Sequence, residues 1–142
     1  MNKHGRLAAT TALVALAATA LIACGDDSES ENAETEATAT PEQAIEEIAA
    51  VRSGLDDALA TYEDGDSAAA ADTVNETYLQ HFELVEGPLE EVDAELNEEL
   101  EESIREELVA EIEAEAPAKD VEALVDEIDS GLDDAETALE GA

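Results

Sequence analysis

From Ala44 to Leu139 the apolar residues recur at steps of three and four and never alternate, a period that predicts amphipathic helices and no strand. Ala44, Ile45, Ile48, Val51, Leu55, Ala58, Leu59 and Tyr62 mark one buried face of a first helix. Its start is written in Thr40, Pro41 and Gln43: a hydroxyl cap, a proline in the first turn and an amide three residues after the cap. Glu63-Asp64-Gly65-Asp66 turns the chain, and Asp66 is placed to cap a second helix from Ser67 to about Glu86, with Ala70, Val74, Tyr78 and Val85 on one side. Gly87-Pro88 is expected to end or kink that helix, because proline lacks the amide proton.

A third helix carries Leu89, Val92, Leu96, Leu100, Ile104, Leu108 and Ile112, and Pro117 ends it. From Leu96 onward the step is always four, which drifts about 40° per step around a straight helix. One partner cannot cover that spiral, so the helix either breaks near Asn97 or changes partners along its length. A fourth helix, from about Ala118 to Leu139, turns Val121, Leu124, Val125, Ile128, Leu132, Ala135 and Leu139 inward. The fold expected is all-α, an antiparallel four-helix bundle over residues 41–142.

Ser53-Gly54-Leu55-Asp56-Asp57-Ala58 recurs as Ser130-Gly131-Leu132-Asp133-Asp134-Ala135. A helical glycine costs about 1 kcal/mol relative to alanine, so two at matched places suggest close backbone approach. Either the first and fourth helices are a repeat that crosses at Gly54 and Gly131, or their shared period alone produces the match.

Before the helices stands a different kind of chain. Lys3, His4 and Arg6 precede an uncharged run from Leu7 to Ala23, the layout of a secretory signal rather than of a membrane span, which needs about 20 strongly apolar residues. Leu21-Ile22-Ala23-Cys24 resembles the bacterial lipoprotein box. That resemblance implies a signal peptide over residues 1–23, cleavage before Cys24, and lipidation of its sulfur, which would anchor the protein to the outer face of the cell membrane or in the periplasm. The alternative is cleavage after Ala20, releasing a secreted protein. Both place the mature chain outside the cytoplasm, and its single cysteine leaves it without an internal disulfide. Residues 24–40 are acidic and without apolar period, which reads as a disordered tether.

Charge narrows the function. The chain has 40 acidic residues against 5 basic and a formal net charge of -35; every acid follows Cys24, where Arg52, Arg105 and Lys119 are the basic residues left. Such a field repels nucleic acid and anionic lipid. It also suits a solvated surface adapted to high salt, where charges about 3 Å apart are already screened at 1 M. Arg52 and Arg105 have carboxylates four residues away at Asp56 and Glu101, although either arginine is also placed to neutralise acids between helices.

The least generic stretch is Tyr78-Leu79-Gln80-His81-Phe82-Glu83-Leu84-Val85-Glu86. With Tyr62-Glu63-Asp64-Gly65-Asp66 before it and the Glu-rich helix containing Ile104-Arg105 after it, this stretch resembles the periplasmic helical domain of bacterial high-affinity iron/lead permeases. The resemblance implies a metal-binding role for Glu83 and Glu86, and iron transport as the setting, with a metal permease as partner; His81 joins them as the candidate ligand set. The chain lacks the permease's membrane spans and their Arg-Glu motifs, so translocation itself is excluded.

Helical geometry separates these residues: His81 falls near the middle of the apolar arc, Glu83 on the far side and Glu86 at its edge. His81 therefore reads either as a ligand with acids of another helix or as a histidine hydrogen-bonded to a neighbouring glutamate. Tyr62, Tyr78 and Phe82 are expected in the core. Placing Gly65 at the sixth position of a calcium loop puts Ala60 first and Ala71 last, so that motif fails. No phosphate cradle, nucleophile elbow or Cys/His zinc set is present. Two functions are expected: an accessory metal-binding or iron-delivery lipoprotein, or a non-enzymatic envelope interaction or spacer module without a ligand.

Overall fold

Thr40 caps the first helix as its sequence predicts. The Gln43 amide donates to Thr40 Oγ1 at 3.3 Å while the Thr40 amide donates to Gln43 Oε1 at 2.9 Å, a reciprocal capping box with Pro41 in the first turn. The computed structural model describes residues 39–142; the expected signal peptide, Cys24 and nearly all of the expected tether lie outside the described residues. Six α-helices follow: α1 (Pro41–Glu63), α2 (Ser67–Thr77), α3 (Glu83–Val92), α4 (Ala94–Glu102), α5 (Val109–Glu113) and α6 (Ala118–Glu140). A π-turn at Tyr78–Phe82 joins α2 to α3 and another at Ser103–Leu108 joins α4 to α5, so the chain forms four helical segments. Among the described residues there is no strand.

The four segments share one aliphatic core. Ile48, Val51 and Leu55 of α1, Val74 of α2, Val85 and Leu89 of α3, Leu100 of α4 and Ile128 and Leu132 of α6 are buried, with Phe82, Ile104 and Leu108 supplied by the π-turns. Each such aliphatic or aromatic side chain contributes about 1.5–3 kcal/mol on full burial. α1 is the hub, packing on α2, α3 and α6, while α4 packs on α3 and α6 and α5 on α2.

The two π-turns answer the problem of the four-residue step. In an α-helix that step overshoots a full turn; a π-turn closes from i to i+5 and so rotates each residue less. Alternating the two keeps Leu100, Ile104, Leu108 and Ile112 on one buried face. The first π-turn does the same for Val74, Tyr78 and Phe82.

Two boundaries differ from the sequence reading. The break falls at Asp93, not at Gly87-Pro88 and not near Asn97, and beyond it the helix changes partners from α6 to α2, the other alternative: Asp93 has φ -153° and ψ 83°, and its carboxylate accepts from the Leu96 amide at 3.1 Å to cap α4. Pro88 lies inside α3 with its ring buried. It deprives the Leu84 carbonyl of a donor, but Leu84 is on an exposed stretch where water can hydrate that oxygen.

The matched glycines do not meet each other, which removes the crossing alternative. A Cβ on Gly54 would lie 2.1 Å from Thr77 Oγ1 of α2, and one on Gly131 would lie 2.9 Å from Leu100 Cδ2 of α4. Each glycine admits a different neighbouring segment. α1 and α6 are instead joined by Arg52, which passes over Asp56 of its own helix and donates to Asp129 at 2.9 Å and Asp133 at 2.6 Å.

Both short turns end in a left-handed residue. Gly65, at φ 94°, fits the turn between α1 and α2 without strain, and the Asp66 side chain accepts from Ala69 at 3.1 Å to start α2. Glu115 takes the same role at φ 53° between α5 and α6. The Tyr62 hydroxyl, on a side chain only partly buried, donates to the Ala116 carbonyl and ties these two turns together.

Candidate functional site

The three residues expected to ligate metal are carried on one helical segment and do three different things. His81 lies in the first π-turn, which rotates it off the apolar arc and brings Phe82 in; Phe82 is fully buried while the His81 side chain is about one third exposed. The His81 Nδ1–H donates to Glu47 Oε2 of α1 at 2.7 Å. That pairing is the neighbouring-glutamate alternative that the sequence left open, and it corrects the placement of His81 at the centre of the core face.

Glu83, the first residue of α3, is exposed. Glu86, one turn further on, is half-buried and accepts a hydrogen bond from the Tyr78 hydroxyl. Tyr78 itself is buried, as expected, with its ring 5.7 Å from that of Phe82.

The Tyr78 hydroxyl is the centre of a polar cluster that the sequence reading did not assemble. Glu101 of α4 brings Oε1 to 3.4 Å from it, at the far limit of hydrogen bonding. Arg105 donates to the same Glu101 oxygen at 3.2 Å, the predicted four-residue pair, and its guanidinium lies 5.3 Å from the centre of the Tyr78 ring. Two carboxylates from different helices thus converge on one phenol, with one cation beside them.

Electrostatics follow from that convergence. Burial, the hydrogen bond to Glu86 and the nearby carboxylates push the Tyr78 phenol well above its ordinary range. Glu86 is also raised, first by burial and then by the charges of Glu101 and Glu83, against the lowering effect of the Tyr78 hydrogen bond and Arg105. The protonated phenol and the half-buried carboxylate form a hydrogen bond within the α2–α3 segment, and Glu101 and Arg105 bring the next segment against it.

Among the described residues no group of three or more His, Cys, Asp and Glu side chains is arranged to hold a metal ion. Nor is any described helix long and apolar enough to cross a membrane. The signal that could have found Glu101 is its four-residue spacing to Arg105; what joins both to Tyr78 is the break at Asp93, which has no counterpart in a continuous third helix. No protein-family model matches the chain, and no curated protein or solved structure is significantly similar to it. The likeness to the iron/lead permease domain therefore rests on the residues quoted for it alone.

Proposed function

We propose that this protein is a non-enzymatic, extracytoplasmic lipoprotein whose helical bundle serves as an interaction or spacer module of the cell envelope. Cys24 anchors it to the membrane surface, residues 24–40 hold the bundle off that surface, and the short links between segments alternate their direction to give an antiparallel bundle. One observation carries the reading: the polar groups best suited to chemistry are engaged with neighbouring side chains, two of the pairs between helices and one within the α2–α3 segment. His81 pairs with Glu47, Tyr78 with Glu86, and Arg52 with Asp129 and Asp133.

A second reading, iron or other metal handling, is favoured by the convergence of Glu86 and Glu101 on Tyr78, a set of oxygen donors from two helices. In that reading Glu86 is the member of the expected ligand set that stays, while His81 is paired with Glu47 and Glu83 is exposed. Titrating the full-length chain with ferric, ferrous, copper and calcium ions in about 1 M salt separates the two readings. The module reading expects weak, non-saturating uptake that is the same in Glu86→Gln and Tyr78→Phe. A saturable site lost in both variants but kept in Glu83→Gln would replace it with the metal reading.

A further inference from the structure

We infer that the outer face of the α2–α3 segment around Leu79 and Leu84 is a docking surface for a cationic amphipathic helix of another envelope protein. This inference rests on the module reading above and names the face and the chemistry of the partner.

The large apolar side chains exposed among the described residues are Leu79 at 59%, Leu84 at 42% and Val92 at 41%. Single exposed apolar residues are ordinary on any surface. Here, however, α1, α4, α5 and α6 bury or half-bury theirs, and the exposed ones all fall on one segment. The first π-turn also changes their relation. Five residues apart on an α-helix, Leu79 and Leu84 would sit about 140° from each other; with the turn closing from Tyr78 to Glu83, residues five apart come round toward one side. Val92 follows Leu84 by eight residues, about 80° round the helix.

The frame of this patch selects the occupant. Between Glu76 and Asp93 stand Glu76, Glu83, Glu86, Glu90, Glu91 and Asp93, with no lysine or arginine. A second copy of the chain or an anionic lipid surface would bring like charge against that frame, which is unfavourable. The chain's own residues 25–39 are acidic and have no apolar period, so they do not complement it either. A helix with leucine-like anchors on one stripe and lysine or arginine beside it satisfies both the apolar centre and the acidic rim.

The test uses a synthetic helical peptide with leucine on one face and lysine on the other, and a control of equal charge with serine in place of leucine. Binding to the full-length chain is measured in about 1 M salt, where long-range attraction to the acidic surface is screened. The leucine peptide is expected to bind about tenfold or more tightly than the control, the difference that burying one leucine side chain produces. The double variant Leu79→Ser/Leu84→Ser is expected to lose that difference while its circular dichroism is unchanged, since neither side chain is in the core.

Equal binding of the two peptides, or a double variant that still prefers the leucine peptide, would overturn the proposal. So would a wild-type dimer in sedimentation that the double variant abolishes, which would make a second copy the occupant, or retention on vesicles of anionic lipid that the double variant loses. None of these results bears on the metal titration, which alone decides whether the module reading itself fails.

Discussion

Gly54 and Gly131 show how one residue type reads differently at two matched places. Replacing a helical glycine by alanine normally stabilises by about 0.5–1 kcal/mol. At Gly54 the new methyl would lie 2.1 Å from Thr77 Oγ1 and 2.9 Å from its Cβ, inside contact distance of an atom fixed close to the backbone. Overpacking of that kind costs about 1–3 kcal/mol, so Gly54→Ala is expected to lower the melting temperature. At Gly131 the neighbour is the far end of Leu100, which can turn aside. Gly131→Ala is therefore expected to change the melting temperature much less, and equal losses at both sites would contradict this reading of the packing.

Glu86 gives a pH dependence whose sign is fixed by its environment. Its carboxyl is raised by burial and by Glu101 and Glu83, so the folded state holds a proton there more readily than the unfolded chain does. The penalty is fully present above the raised pKa and disappears as pH falls below the ordinary glutamate range. Glu86→Gln keeps an acceptor for Tyr78 and removes the charge, so it is expected to raise the melting temperature at neutral pH and to approach the wild type in acid. A variant less stable than wild type at neutral pH would show that the ionised form is the supporting one.

At the scale of elements, caps and seams were legible and the irregular turns were not. The Thr40 box and the Asp66 cap could be read because a side chain three residues from a backbone amide is a local geometry. The run of fours from Leu96 to Ile112 announced that a uniform helix could not bury it, but did not say how the chain would adapt. The answer, a π-turn over Ser103–Leu108, is a shift of backbone bonding from i+4 to i+5 that carries no residue signature of its own.

The candidate site inherits the same limit. A regular helix puts His81 on the core face, and the π-turn at Tyr78–Phe82 moves it out toward Glu47. Tyr78 and Glu86, eight residues apart, meet across that turn, and Glu101 reaches them because the chain breaks at Asp93. Asp93 caps α4 from just before Ala94-Glu95-Leu96, a boundary that the reading centred on Gly87-Pro88 and Asn97 does not include. Asp93→Ala is expected to destabilise by about 1 kcal/mol, with Asp93→Asn close to wild type; equal loss in both would mean that charge rather than capping acts at the break.

At the scale of the whole molecule, a thin aliphatic core opposes the repulsion among carboxylates that make the net charge -35. Arg52 relieves part of it by bridging α1 to Asp129 and Asp133 of α6, with Glu136 3.7 Å away, and Arg105 relieves part beside Tyr78. Both arginines are partly exposed, so salt screens these pairs as well as the repulsion. The repulsive terms are far more numerous, which makes the net effect of salt stabilising.

The most direct measurement is thermal unfolding of the full-length chain followed by far-UV circular dichroism in low salt and in about 1 M sodium chloride. The bundle account expects a helical spectrum, one cooperative transition and a higher midpoint in the high-salt sample. A spectrum without helix in both, or gradual loss with no transition, would contradict the common core on which every assigned contact depends.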